Sequence, residues 1–355
     1  MANFDLVKLA LKATCPGNDI LLDDKGLPSV MVRIPKFKIS DVVAGGSNST
    51  HPAFIVNGLE VPEIYISKFQ NVIHNGRAYS LPGEDPKTSI NFDTARQACE
   101  AKGPGWHLMT NAEWAAIALW CRKNSLMPKG NNNYGKDTSE STVVAIPTYY
   151  DATNIYRVAT GTGPVTWSHN GEVTGIWDLN GNVWEWIGGY RTNNGEIQIL
   201  PNNDAASSAN SQAADSTKWK AILQDGSLVA PGTANTLKWD YTAAPAAGAA
   251  FRLNTTVAYP QADDTPYGAN SFAALTTASG VTVPEILKAL ALFPADTGDH
   301  GGDYIYMRNN GERLAIRGGS WIDGSRAGVF ALNGSNPRSD VSANIGFRSA
   351  FIPGI

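Results

Sequence analysis

The chain has 355 residues, with 28 Lys and Arg against 32 Asp and Glu, and a formal net charge of −4 at pH 7. This near-balance creates no broad positive field, so neither nucleic acid nor an anionic membrane is expected as a partner. Only 17% of residues are charged, whereas Gly reaches 35 and Trp 10 residues. That composition is typical of a loop-rich globular protein rather than a helical bundle.

The first fifty residues predict an amphipathic helix near residues 4–13, followed by strands in segments such as SVMVRIPKFKIS. Lys8 and Lys12 interrupt the apolar stretch, so it lacks the continuous apolar core of a signal peptide. We therefore expect a protein made in the cytoplasm without a signal peptide. The turn-rich GGSNSTHP at 45–52 predicts a boundary between an N-terminal module, 1–52, and a larger domain, 53–355.

Cysteines and histidines give no sign of a metal or a nucleophile. Cys15, Cys99 and Cys121 are odd in number and widely spaced, which fits neither a disulfide framework nor a zinc site and favours free thiols in the interior. The five histidines are scattered, without the HExxH spacing of zinc enzymes. We predict no metal ligand and no catalytic residue from these residue types.

Two helices are predicted before residue 125. Asn91 is placed to cap the first, which Gly103 would end, and Thr110 with Glu113 has the spacing of a capping box at the start of the second. Residues 192–280 lack strong periodicity and are interpreted as a long insertion that carries loops. A further helix is predicted over 283–293, with Pro284 in its first turn.

The most specific stretch is GIWDLNGNVWEWIGGYR at 175–191, where three tryptophans lie among four glycines. Glu185 stands between two of the indoles. A carboxylate in such surroundings must be paired, hydrogen-bonded or bound to a cation.

This stretch stands in one order with ISKFQ, FDTARQAC and WHLMTNAEWAAIA before it and with RLAIRGGSW at 313–321 and NIGFRSA at 344–350 after it. The set resembles the formylglycine-generating-enzyme-like (sulfatase-modifying factor) branch of the C-type lectin fold. The resemblance covers the chain from about residue 53 to its end and is interrupted by the insertion. It implies an α+β, C-type lectin-like fold with a small N-terminal module.

Within that superfamily the chain looks like the variable proteins of diversity-generating retroelements, especially those of phages. In such systems a reverse transcriptase copies a template with errors at adenines, and the copy replaces the 3′ end of the gene. An Asn codon mutated at both adenines can encode Asp, Ser, Ile, Arg, Gly, Ala or Val, but never Lys, Glu, Gln, Met or Trp. Residues 322–344 contain none of the excluded types.

The resemblance divides the C-terminal region, about 321–344, into two populations of residues. The predicted scaffold comprises Arg317, Gly318, Gly319, Trp321, Gly324, Ser325, Ala327, Gly328, Phe330, Gly346, Phe347 and Arg348. The predicted variable, ligand-binding positions, expected to face outward, are Ile322, Asp323, Arg326, Gly334, Ser335, Asn336, Asp340, Val341, Ser342 and Ala343. Asn333 and Asn344 fit either an unmutated template codon or a fixed structural role.

The resemblance implies a display protein on a phage virion that recognises a host-surface protein or glycan. Its N-terminal module would serve either for attachment to a larger assembly or for oligomerisation. A homotrimer is a family-level option. Two alternatives stay open: a non-variable structural protein of a virion, and a formylglycine-generating-enzyme-like oxidoreductase. The family's oxidase chemistry uses a cysteine pair in the C-terminal block, and residues 313–355 contain no cysteine.

Two further readings of the 175–191 segment concern its acidic and amide side chains. Asp178 and Glu185 could form an acid pair, although a structural role fits their place in the motif better. Some relatives hold structural calcium near this segment, and Asn180, Asn182 and Glu185 would offer the oxygen donors that calcium prefers. No other cofactor is predicted.

Overall fold

A computed structural model describes residues 3–355 of the chain. Over this range the structure has five α-helices: α1 (Asn3–Thr14), α2 (Ile39–Val42), α3 (Phe92–Glu100), α4 (Asn111–Lys123) and α5 (Glu285–Ala289). None of the helices in this range is long and apolar enough to span a membrane.

Eleven of the described strands begin before residue 192, where the insertion starts. They are β1 (Asn18–Leu22), β2 (Pro28–Pro35), β3 (Ile55–Val56), β4 (Leu59–Glu60), β5 (Glu63–Ser67), β6 (Val72–His74), β7 (Arg77–Tyr79), β8 (Trp106–Leu108), β9 (Pro147–Tyr150), β10 (Ile155–Val158) and β11 (Trp184–Asn193).

Strands of the insertion and of the C-terminal region complete the set. They are β12 (Glu196–Ile199), β13 (Lys220–Ile222), β14 (Leu228–Val229), β15 (Lys238–Tyr241), β16 (Phe251–Asn254), β17 (Gly268–Ser271), β18 (Thr276–Thr277), β19 (Tyr304–Met307), β20 (Glu312–Gly318), β21 (Gly328–Asn336), β22 (Ile345–Phe347) and β23 (Ser349–Phe351).

A five-stranded sheet joins the two ends of the chain in the order β1-β2-β5-β23-β8. Strand β2 pairs with β5 from Met31↔Ser67 to Pro35↔Glu63, and β5 also pairs with the C-terminal β23. The predicted boundary at residue 52 therefore does not coincide with a structural break. Residues 18–35 belong to the same sheet as residues 349–351, because pairing is decided by distant strands and not by the turn-rich segment between them.

The larger, twelve-stranded sheet is built around β11, which carries the end of the GNVWEW motif. Strand β11 pairs antiparallel with β20 and parallel with β22, so that Glu185 faces Arg317 on one side and Gly346 on the other. The motif therefore lies between RLAIRGGSW and NIGFRSA, the two C-terminal segments that carry the same family resemblance.

The region 192–280 extends this sheet. Strand β12 pairs with β11, β15 pairs with β12, and β16 pairs with β15. The side chains of Trp239, Tyr241, Phe251 and Leu253 are at most 1% exposed and join the main core. The insertion is thus integral to the sheet, and strands of two to four residues are too short to show a clear alternation in the sequence.

The helix signals are largely confirmed. Asn91 accepts a hydrogen bond from the Thr94 N–H, and Thr110 with Glu113 forms the predicted capping box. The predicted helix over 283–293 is shorter than expected: α5 ends at Ala289, and Pro284 is its N-cap. The predicted N-terminal helix is confirmed as α1.

Candidate functional site

A buried ion pair joins the GNVWEW segment to the C-terminal NIGFRSA segment. Both nitrogens of the Arg348 fork reach Glu185, with Nε to Oε2 at 2.5 Å and Nη2 to Oε1 at 2.6 Å. Gln70 donates a further hydrogen bond to Glu185 Oε1 at 3.0 Å, and Arg348 also donates to the Ser67 carbonyl at 3.0 Å. Glu185 is therefore paired, one of the options that its position between indoles allowed.

The same contacts argue against calcium at this place. The Asn182 side-chain oxygen accepts hydrogen bonds from the Val158 N–H at 3.0 Å and from Asn131 at 3.2 Å, and that of Asn180 accepts one from Asn132 at 3.2 Å. The Glu185 carboxylate already binds a guanidinium. These oxygens face N–H donors, which repel a cation, so the residues present do not fit the calcium ion that the resemblance suggested.

Arg317 is the second buried cation of the framework. Its Nη2 donates to the Asn111 side-chain oxygen at 2.8 Å and to the Ala291 carbonyl at 3.0 Å. Burial lowers the pKa of Arg317 to about 9, and the ring of acceptors compensates part of this cost. The side chain ties β20 to the start of α4 and to the turn after α5.

Two framework glycines are required by close approach. A Cβ on Gly319, which has a φ of +84°, would lie 2.3 Å from the Cβ of Ala327. A Cβ on Gly328 would lie 2.2 Å from Oδ1 of Asp303, whose Oδ2 accepts a hydrogen bond from the Phe330 N–H at 2.7 Å. The chain can reverse between β20 and β21 only because these positions lack side chains.

The rest of the predicted scaffold is buried, with two differences. Arg317, Gly318, Gly319, Trp321, Ala327, Gly328, Phe330, Gly346, Phe347 and Arg348 are all buried. Ser325 is exposed and Gly324 is half-buried, because both lie in the short turn of residues 324–326 that projects from the sheet.

The predicted variable positions divide by accessibility. Ile322 is 58% and Val341 is 56% exposed, although both are apolar. Arg326 and Ala343 are exposed too, whereas Asp323, Asp340 and Ser342 are half-buried. Most of these positions lie in the turn after Trp321 or in the loop before β22.

Two of these side chains are anchored in the framework. Asp323 accepts hydrogen bonds from both the backbone N–H and the hydroxyl of Ser320 at 2.7 Å. The guanidinium of Arg326 stacks over the ring of Tyr304, at 4.7 Å from the ring centre. Asp323 and Arg326 therefore help to fix the conformation of the turn after Trp321 and also contribute to its surface.

Gly334, Ser335 and Asn336 are buried, against the expectation that every variable position faces outward. They form the end of β21, which lies between β19 and β20 in the sheet. Asn336 faces Leu314, whereas Gly328 at the other end of β21 faces Gly318. Positions 334–336 are thus several residues along the strand from the turn that carries Ile322.

Asn333 and Asn344 both make structural hydrogen bonds. Asn333 accepts hydrogen bonds from the N–H and hydroxyl of Ser335, at 3.0 Å and 2.7 Å. Asn344 donates to the Ser320 hydroxyl at 3.3 Å, and its carbonyl accepts the Trp184 N–H. The Asn344 contacts bring the turn after β20 beside the loop before β22.

A hairpin that the sequence analysis missed borders this turn and loop. Strands β9 and β10 pair only with each other, and the ring of Tyr156 lies 5.7 Å from that of Trp321. Arg157 donates to the Ala343 carbonyl at 3.2 Å and stacks on Tyr149. The two strand-like runs in PTYYDATNIYRV, separated by a turn-forming DATN, were the available signal.

The cysteines lie away from this surface. Cys99 and Cys121 are fully buried, and burial raises the pKa of both thiols. Cys15 is half-buried. A raised thiol pKa disfavours the thiolate that nucleophilic or metal-binding cysteine chemistry needs.

Fold and framework together define a mixed helix-and-sheet domain in which an Arg-pinned scaffold supports exposed C-terminal loops. The chain belongs to the sulfatase-modifying factor enzyme 1-like domain family, whose model matches residues 12–351. This confirms the predicted formylglycine-generating-enzyme-like (sulfatase-modifying factor) branch, and the mixture of helices and sheets confirms the α+β class.

Solved structures offer distant neighbours. PvdO from Pseudomonas aeruginosa is 14% identical, with a TM-score of 0.38 over 95% of this chain and 98% of its own. Treponema denticola variable protein 1 is 12% identical, with a TM-score of 0.35 over 95% and 100%. The U1 variant of Major Tropism Determinant is 12% identical, with a TM-score of 0.29 over 94% and 71%. Comparison with curated protein sequences finds no match.

Proposed function

We propose that this chain is a ligand-binding display protein whose C-terminal region, 321–344, is diversified by a retroelement. One observation carries the proposal: the exposed side chains of Ile322 and Val341 lie on loops that begin and end at buried residues. Trp321 and Ile345 are buried on either side of these loops. Side chains in the exposed positions can change without disturbing the core, whose packing decides the stability of the fold.

The pinned framework supports this role physically. Arg317 and Arg348 are fully buried and hydrogen-bonded to several partners each. A backbone held in this way does not have to be ordered anew for each ligand, which lowers the entropic cost of binding. The buried framework residues would thereby determine the stability of the fold, while the exposed loop residues contact the ligand.

The biological setting that fits is a phage virion that recognises a host-cell surface. Residues 1–52 would attach the protein to the virion or join copies of it, in a trimer for example. Several copies on one particle would raise the overall avidity above the affinity of a single site. Helix α1 lies outside the sheet formed by β1 and β2, and most of its side chains are exposed, so it offers a surface for such contacts.

Catalysis is not part of the proposal. The C-terminal block, residues 313–355, has no cysteine, and the pKa of both interior thiols is raised.

The test is a comparison of the 3′ end of the gene with its flanking DNA. The expected result is a near-copy of the segment encoding residues 321–344, with differences concentrated at template adenines, next to a reverse-transcriptase gene. Asn codons should stand in that copy opposite the predicted variable positions. A locus without such a copy, or with differences spread evenly over all four bases, contradicts diversification.

A further inference from the structure

A cavity of about 570 Å³ lies between strand β2, helix α2 and the C-terminal half of helix α4, and the segment 169–174 completes its lining. Much of the wall is apolar, with contributions from Val32, Ile34, Phe37, Val42, Ala116 and Ile117. None of the described residues that line it belongs to 321–344, so the cavity shares no lining residue with the loops of the proposed function. Its volume lies in the range of small-molecule binding sites.

The segment 169–174 is held in place by hydrogen bonds to its backbone. Asn18 of β1 donates to the Thr174 carbonyl at 2.6 Å, and the buried Lys68 donates to the Val173 carbonyl. This side of the cavity is therefore formed before any ligand arrives. A wall of this kind needs little ordering when a ligand binds, which lowers the entropic cost of binding.

His169 offers a hydrogen-bond donor to the cavity. The side chain is 6% exposed, and its Nδ1 accepts the Ile176 N–H at 2.8 Å. Burial, together with the charges of Arg348 and Lys68, lowers the pKa of His169 to about 4, so the neutral ring carries its proton on Nε2. That N–H has no acceptor among residues 3–355. Since Nε2 is not one of the fully enclosed unpaired atoms, it reaches the open space that His169 borders, which is this cavity.

Trp120 supplies a second donor beside the first. Its ring centre lies 5.3 Å from that of His169, and its half-buried indole borders the same cavity. The indole Nε1–H has no acceptor in the described part of the chain, and it is not fully enclosed either. Two N–H groups on adjacent rings thus lack hydrogen-bond acceptors at one place in the wall.

The charge at the rim of the cavity is positive. Lys123, in the last turn of α4, is exposed and has no carboxylate partner among residues 3–355. The other charged residues of the lining are already paired within the protein: Arg33 with Glu63, Lys36 with Glu60, and Asp41 with the backbone N–H of Lys38. A ligand therefore meets one free cation beside the two ring donors.

We infer that this cavity binds a small organic carboxylate with a flat apolar body. The body would lie against the Trp120 ring and the apolar wall. The two carboxylate oxygens would accept hydrogen bonds from His169 and Trp120, and Lys123 would supply the opposite charge. A carboxylate has acceptor atoms only, which matches these three donors, and charge-assisted hydrogen bonds are stronger than neutral ones. An amine would instead bring N–H groups and a positive charge against donors and a cation.

Three ligands that share one apolar body test this inference: 2-naphthylacetate, its neutral amide 2-naphthylacetamide, and the cationic 2-(2-naphthyl)ethylamine. Isothermal titration calorimetry of the full chain measures the three dissociation constants. We expect saturable binding of the carboxylate, about tenfold weaker binding of the amide, and no measurable binding of the amine. Heteronuclear NMR of the tryptophan-labelled chain should show a shift of the Trp120 indole N–H, assigned from Trp120→Phe, when the carboxylate is added.

A matched pair of lysine substitutions sharpens the result. Lys123→Gln should weaken carboxylate binding about threefold and leave amide binding unchanged, because only the carboxylate carries a charge. Lys25→Gln, at an exposed position in the turn between β1 and β2, should change neither.

Several outcomes overturn the inference. They are equal affinity for the three ligands, preference for the amine, equal effects of the two lysine substitutions, and no saturable binding at millimolar ligand. Carboxylate binding without a shift of the Trp120 indole N–H would place the ligand elsewhere and also contradict the site.

Discussion

Individual side chains decide how the framework stays fixed. Glu185 and Arg348 are both at most 1% exposed, and removing either partner would leave an unpaired buried charge. The guanidinium fork satisfies both carboxylate oxygens at once, which a lysine could not do with the same geometry. The pair therefore orients β11 against the C-terminal strands as well as stabilising them.

Because Asp178, in the same motif, is a buried carboxyl group, we expect the free energy of unfolding to depend on pH. Its Oδ2 accepts the Gly161 N–H at 3.0 Å, its Oδ1 has no hydrogen-bond partner among residues 3–355, and burial raises the pKa of Asp178 to about 6. The folded state thus holds this proton more tightly than the unfolded state does. The resulting stabilisation is complete below pH 4, near the unfolded pKa, and is lost as the pH rises through about 6.

Asp178→Asn removes this titration and can keep the hydrogen bond from Gly161. We expect the free energy of unfolding of the variant, relative to wild type, to rise by about 3 kcal/mol between pH 4 and pH 8. Urea denaturation at several pH values measures this. Parallel curves for the two proteins would show that Asp178 is not the titrating group.

At the scale of elements, the turn after β20 and the strand β21 carry predicted variable positions under different constraints. Ile322 projects into solvent, whereas Asn336 lies in the sheet with its side-chain nitrogen buried and without a partner. An unpaired buried amide costs free energy, so Asn336 is a position where several smaller residues would be accepted.

Substitutions along these elements should therefore separate clearly. Ile322→Ser and Val341→Ser should change the free energy of unfolding by less than about 0.5 kcal/mol, and Asn336→Ser should be neutral or stabilising by up to about 1 kcal/mol. Leu332→Ser, in the middle of β21 and 1% exposed, should cost about 3 kcal/mol or more. Chemical denaturation gives all four values, and a large loss for Ile322→Ser would show that its turn is part of the core.

At the scale of the whole molecule, we expect stability to depend on the sheet that contains strands from both ends of the chain. Met31 and Val32 of β2 are buried at 0% and 4% exposure, and β2 pairs with β5, which in turn pairs with β23. Helix α1 by contrast lies outside this sheet, and its Lys8 and Lys12 side chains both pair with Asp19 of β1. Surface ion pairs of this kind add little stability.

Two truncations test this division. Removal of residues 1–14 should leave a cooperatively unfolding protein with a melting temperature close to that of the full chain. Removal of residues 1–35 should expose the edge of β5 and its apolar face and give an aggregated or unfolded product. Calorimetry and size-exclusion chromatography distinguish the outcomes, and a stable monomer lacking residues 1–35 would restore the boundary at residue 52.

Local signals predicted several elements correctly. Asn91, Thr110 and Glu113 cap their helices by contacts within three residues, so their roles could be read directly from the spacing. The scaffold character of Arg317 and Arg348 followed from the family resemblance. In each case the relevant information lies in a short segment or in a motif kept in order along the chain.

The amino-acid sequence by itself thus determined the family, the α+β class and the helix caps. Only the tertiary structure decided that Gly334, Ser335 and Asn336 lie inside a sheet, that residues 18–35 share a sheet with residues 349–351, and that the β9–β10 hairpin borders the turn after β20 and the loop before β22. These properties depend on which distant strands meet. Pairing across hundreds of residues is set by packing of the whole core, which no local pattern records.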